Sequence, residues 1–162
     1  MAKQKEEKTN VMRVLEQKEI PYVPHTYEHE EGVAVDGVSV AQSLGQDPEA
    51  VFKTLVARGA SKGIYVFVIP VAESLDLKKA AKAAGEKSIE MIAVKEITPL
   101  TGYVRGGCSP VGMKKQYPTV IQEEALLLDA FTVSGGKIGV QVELSPSALC
   151  DFLGATFVDI IL

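Results

Sequence analysis

The sequence predicts an α+β domain in which a mixed sheet is flanked by helices, rather than a doubly wound parallel fold. Three observations lead there. Strand-like and helical segments follow one another without strict alternation. The 162 residues suit one domain, expected over 1–162 with 1–8 as a frayed tail. Hydrophobic residues make up 46% and charged residues 23%, which excludes disorder, collagen and a coiled-coil rod.

Thr9 or Asn10 can cap a first helix, and Val11, Val14 and Leu15 follow at helical spacing over 10–18. Pro21 and Pro24 stop it and force an extended path, so 22–29 reads as a strand. A short helix opens at Ser39 and closes at Gly45. Asp47-Pro48 starts a further turn. VFKTLVAR (51–58) is a strand, 59–63 a hairpin loop, and 64–70 a strand apolar enough to be central. The alanine- and lysine-rich 76–84 is a helix ended by Gly85. A strand at 89–92 and a helical turn at 94–100 lead into the glycine-rich TGYVRGGCSPVGMKK. Short strands are expected at 119–122, 125–128, 131–134 and 139–144. SPSALCDFLG (145–154) is a capped helix with proline in its first turn, and 156–161 is a closing strand.

Several function classes fall away. No apolar stretch approaches the ~20 residues a membrane helix needs. The start, MAKQKEEK, has no apolar core, which predicts no secretory signal. Cys108 and Cys150 make neither a disulfide framework nor a zinc pattern, and a reducing cytoplasm is the expected location. Seventeen basic against 21 acidic residues give a net charge of −4, which argues against strong capture of nucleic acid by the whole surface.

Within the strand 51–58, alternation puts Val51, Lys53, Leu55 and Ala57 on one face. An ammonium among these apolar neighbours either meets an anion or a cavity, or snorkels to solvent from an edge strand. His25 and His29 lie on a strand with Tyr27, too far apart to share a metal, and no third ligand is evident. No metal or other cofactor is expected. The glycines of GGCSPVG (106–112) let backbone approach a ligand, or else form a bulged turn; Pro110 stiffens it. Cys108 is either a nucleophile without a nearby base or a small packing residue. SGGKIG (134–139) reads as a hairpin, with Ser134 placed to project into a cleft. The lysines at 78, 79, 82, 87, 114 and 115 are a solvated face or a basic patch.

HTYEH (25–29), FKTL (52–55), PVAESLDLKKAAKAAG (70–85), TGYVRGGCSPVGMKK (101–115) and FTVSGGK (131–137) stand in an order and spacing that resemble the YbaK/EbsC family, over about residues 11–161. The resemblance implies the fold shared with the editing domain of prolyl-tRNA synthetase: a mixed, mostly antiparallel, barrel-like sheet with flanking helices. It implies trans-editing, the removal of cysteine from Cys-tRNA(Pro) and also from Cys-tRNA(Cys), with the substrate's own thiol attacking the ester. It implies Lys53 and Gly106 as the catalytic pair. Tyr27, Thr54, Pro110, Ser134 and Gln141 are implied around the substrate. The implied partners are the acceptor end of aminoacyl-tRNA, bound weakly, and prolyl-tRNA synthetase.

Two departures stand out. Relatives carry an aspartate where this chain has Gln141, in VQVEL, and the stretch 34–36 also differs. They leave open deacylation of Ala-tRNA(Pro) by water. A non-catalytic module that binds a synthetase is the third alternative.

Overall fold

The computed structural model describes residues 8–162. Of the expected frayed tail only Lys8 is among them, and its Nζ donates to Glu16 Oε1 at 2.7 Å. The order is α1 (Asn10–Gln17), β1 (Tyr22–Thr26), α2 (Gly37–Ser43), β2 (Phe52–Gly59), β3 (Ile64–Pro70), α3 (Leu77–Ala84), β4 (Ile89–Met91), α4 (Val94–Thr101), β5 (Thr119–Gln122), β6 (Phe131–Ser134), β7 (Val140–Leu144), α5 (Pro146–Leu153) and β8 (Thr156–Val158).

The strands form two sheets. One is antiparallel throughout, in the order β1-β7-β6. The other has the order β4-β2-β3-β5-β8, with β3, β5 and β8 mutually parallel and β2 antiparallel to both its neighbours. The sheets are mixed and mostly antiparallel, as expected, and they do not close into a barrel. Among the described residues one parallel bridge, Val51 with Thr132, links the two sheets.

The alternation expected for residues 51–58 is what separates two cores. Phe52 of β2, Val66 and Val68 of β3 and Ile121 of β5 face the three-stranded sheet, where α1 and α5 close the core with Leu15 and Leu149. Phe52 meets Phe131 edge to face, ring centroids 5.0 Å apart. Ala57, Phe67 and Ile69 face the other way, onto Ala80 and Ala81 of α3 and onto Ile160. With cores on both sides, β3 is buried as its apolar run predicts.

The helix ends follow local chemistry. Asp76 caps α3 by accepting from the Lys78 and Lys79 amides at 2.9 and 3.1 Å, and Gly85 closes it with φ of 71°. The second helix starts earlier than expected, because Asp36 rather than Ser39 is its cap: Asp36 Oδ2 accepts from the Ser39 amide at 3.1 Å. The strand expected over 22–29 ends at Thr26, opposite the first residue of β7; only the Tyr27 amide reaches on, to Gly139 O at 2.9 Å. Residues 125–128 are not a strand. Glu123–Leu127 is a 3-10 turn in which Ala125 is buried while Leu126 and Leu127 face outwards. A turn is needed there because the chain is crossing from one sheet to the other. The closing strand is also short, ending at Val158, and only Ile161 makes a further bridge, to Leu75. No helix among the described residues is long and apolar enough to cross a membrane.

Candidate functional site

β4 pairs only with Ala57–Gly59, so the first half of β2 has an open edge. Backbone groups alternate sides along an antiparallel strand. Val51 C=O accepts from Val71 N–H on the β3 side, and Val56 C=O accepts from Ile92 N–H on the other. Thr54, two residues before Val56, therefore turns its backbone to the open edge. A cavity of about 620 Å³ lies along that edge.

Four chain segments complete its wall. Ala34–Gly37 and α2 form one side, and Met91, Ile92, Val94 and Ile97 form an apolar side at the start of α4. The glycine loop contributes Arg105, Gly106 and Cys108. The β6–β7 hairpin contributes Val133, Ser134, Val140 and Gln141, and Tyr27 stands beside it.

Six of the seven residues singled out in the sequence thus line one cavity: Lys53, Gly106, Tyr27, Thr54, Ser134 and Gln141. Pro110 does not; it is buried beyond Cys108, beneath the loop. His25 is also elsewhere, its Nε2 2.8 Å from Glu143 Oε1, while His29 Nδ1 contacts Glu30 O. Among the described residues no cluster of three His, Cys, Asp or Glu could hold a metal ion.

Lys53 is half-buried and, among the described residues, has no carboxylate within salt-bridge distance. Burial pushes its ammonium below the usual lysine range, against the pull of Asp36 and Glu73. The Thr54 hydroxyl beside it is buried and unpartnered. Arg105 is the cavity's other cation and Asp36 its carboxylate.

Gly106 has φ of 86°, and a Cβ built there would sit 2.7 Å from Ala34 Cβ. At Gly107 a Cβ would lie 2.8 Å from Lys137 Cα and 2.9 Å from Ile138 N. Both glycines let the loop lie against the 34–37 segment and the hairpin. The loop is held from beneath by the Tyr103 hydroxyl, which donates to Val111 O, and burial lifts that phenol to about 12. Cys108 also lines the cavity, but burial pushes its thiol up to about 11, so it is held as a thiol at neutral pH.

Gln141 is only 6% exposed, and its Oε1 accepts from Gln46 Nε2 at 3.0 Å. Gln46 and the apolar side from α4 were not anticipated as site residues, and Asp36 entered only as part of the differing stretch 34–36. Asp36 was readable as a helix cap; Gln46 lies in no motif, and its role comes from a contact 95 residues away in sequence. The lysine run at 78–87 does not reach the cavity. Lys79 is engaged by Asp159 and Ile161 O, and Lys78, Lys82 and Lys87 are exposed.

Comparison with known proteins places the chain firmly. The aminoacyl-tRNA editing domain family matches residues 32–152. The chain is similar to the Enterococcus faecalis protein EbsC, assigned as a Cys-tRNA(Pro)/Cys-tRNA(Cys) deacylase: 47% identical over 161 residues, covering 99% of this chain and 98% of that one. It is also similar to a solved structure assigned as a trans-editing enzyme for prolyl-tRNA synthetase, with a TM-score of 0.79 and 25% identity over 94% of each chain. A hypothetical protein of known crystal structure shares the fold, with a TM-score of 0.83, 23% identity, and 94% and 99% of the two chains covered.

Proposed function

Because the chain belongs to the aminoacyl-tRNA editing domain family, we propose that it deacylates mischarged Cys-tRNA(Pro), and Cys-tRNA(Cys) with it, acting as one domain over its whole length. The observation that carries this reading is the half-buried Lys53 ammonium, without an ion-pair partner among the described residues, in a cavity whose wall also carries Arg105, Asp36, the Cys108 thiol, and amide, hydroxyl and apolar groups. A phosphate of an acceptor end would pair with that ammonium.

The chemistry suits a cavity without a protein nucleophile. Cys108 is held as a thiol, and neither histidine lines the wall. The substrate's cysteine sulfur attacks the ester carbonyl instead. An S–C bond forms and the C–O bond to the terminal ribose breaks. The thiol proton passes to the departing ribose oxygen, leaving a cyclic thiolactone and free tRNA. The attack is intramolecular, so holding sulfur and carbonyl together supplies much of the acceleration. Lys53 stabilises charge developing on the ester oxygens. Gly106 and Ser134 shape the pocket around the side chain, and Tyr27 and Thr54 border it. Pro110 acts from below by stiffening the loop.

A pocket alone separates side chains of similar size by only ~1–3 kcal/mol, whereas a reaction that needs the thiol rejects serine and alanine outright. The net charge of −4 suits weak binding of tRNA alone, with selectivity supplied by prolyl-tRNA synthetase as partner. The test is release of labelled amino acid from Cys-, S-methyl-Cys-, Ala- and Ser-charged tRNA(Pro). The reading expects Cys-tRNA alone to be cleaved rapidly. Equal cleavage of the S-methylated substrate overturns the thiol mechanism, and preference for Ala-tRNA(Pro) overturns the specificity. Unchanged charged tRNA together with binding to the synthetase points to a non-catalytic module.

A further inference from the structure

The start of α2 lies on the cavity, and the residue just past its end touches the wall through Gln141, with different chemistry. At its N-terminus, Asp36 lies on the cavity wall. Its Oδ2 accepts from the Ser39 amide and hydroxyl at 3.1 and 3.2 Å, and among the described residues no donor reaches Oδ1. Just past the C-terminus, Gln46 is fixed by its own amide bond to Ala41 O at 2.8 Å. Its side chain holds Gln141 on the far part of the wall, about 10 Å of helix away.

An aminoacyl ester brings one cationic group, the α-ammonium, which offers donors and no acceptor. Gln141 is a poor receiver for it: the amide carries no charge and its oxygen already accepts from Gln46, which leaves one lone pair beside the two N–H donors. Lys53 and Arg105 repel a cation, and among the described residues the lining holds one carboxylate, Asp36.

We propose that Asp36 Oδ1 receives the α-ammonium of the bound aminoacyl group, while Gln141 donates to its acceptor atoms. The inference rests on the deacylase reading. It sets the direction in which the amino acid lies, with its amine towards the start of α2 and its carbonyl towards Lys53 and Gln141. It also accounts for a glutamine at 141: the acidic function sits on the helix cap rather than on β7.

The experiment uses uncleavable probes, so that binding is read apart from turnover. They are 3′-cysteinylamino-3′-deoxyadenosine and its N-acetyl derivative, titrated calorimetrically against the full chain and against Asp36→Asn. Asparagine caps helices as well as aspartate does, so α2 is retained, which an unchanged Tm verifies. Wild type is expected to bind the free amine at least tenfold more tightly than the acetylated probe. In Asp36→Asn that ratio is expected to fall to within threefold of unity, with the acetylated probe bound as before. A ratio unchanged by the substitution, an equal loss for both probes, or binding of neither probe overturns the proposal. Failure of the deacylase reading shows separately, as wild-type protein that cleaves no aminoacyl-tRNA.

Discussion

Replacing Lys53 by methionine removes a charge and keeps most of the stem. The ammonium it removes is half-buried on the cavity wall and has no ion-pair partner among the described residues, with Asp36 and Glu73 acting on it only at longer range. Two opposite effects follow. For the free protein, a desolvated and unpaired cation is a cost. Its folded pKa is depressed, so that cost is present at neutral pH and is relieved only as pH rises past the folded value. Lys53→Met is therefore expected to melt at the same temperature as wild type, or higher. For catalysis the variant loses one charge-assisted contact, worth about 1.5–3 kcal/mol. At 1.36 kcal/mol per decade that is a ~10–150-fold fall in kcat/KM. The assay is single-turnover release of labelled cysteine from Cys-tRNA(Pro), paired with a thermal melt. Activity within threefold of wild type refutes the role given to Lys53. A fall in activity together with a Tm several degrees lower also refutes the argument, because it makes Lys53 a structural residue.

Gly106→Ala places a Cβ 2.7 Å from Ala34 Cβ at a φ of 86°, where an L side chain costs ~1–2 kcal/mol. It is expected to lower both Tm and kcat/KM, since the loop and the 34–37 wall must separate; a melt and the deacylation assay check it. Asp76→Ala removes the acceptor for two amides far from the cavity. It should cost about 1 kcal/mol in urea unfolding and leave kcat/KM within twofold. Cys108, lifted by burial to about 11, is ~0.1% thiolate at pH 8. Site-resolved mass spectrometry should find its alkylation by iodoacetamide at least tenfold slower in folded than in unfolded protein, and Cys108→Ala should keep deacylation within threefold.

What could be read from the sequence was whatever local chemistry decides. Period-two alternation in VFKTLVAR separated Phe52 from Ala57, which are buried in different cores, and Asp76 and Gly85 marked both ends of α3. The failures are places where distant parts of the chain decide. Residues 125–128 have strand-like composition, yet they lie where the chain passes from β5 in one sheet to β6 in the other, and Leu126 and Leu127 end up exposed on a turn. Gly37 passes for a loop residue until Asp36 is seen capping onto Ser39. Gln46 has no local signal, because its importance lies in the amide of Gln141 on another element.

The short pairing of β4 explains why the site lies where it does. A strand matched along the whole of β2 would fill the edge beside Thr54 with backbone and leave Lys53 no anion. Ending β4 after three residues leaves that edge open, and the walls are then supplied by loops that only glycine lets approach closely. Such a site is well made for positioning and poorly made for supplying a base. Among the described residues its groups are an ammonium, a guanidinium, amides, hydroxyls, a thiol held protonated and one carboxylate already occupied at Oδ2. It is therefore suited to a substrate that carries its own nucleophile, where orientation alone can raise effective concentration by orders of magnitude. The acidic total of the chain does not oppose this, because a single-stranded acceptor end needs a few local cations and a shaped pocket rather than a basic face.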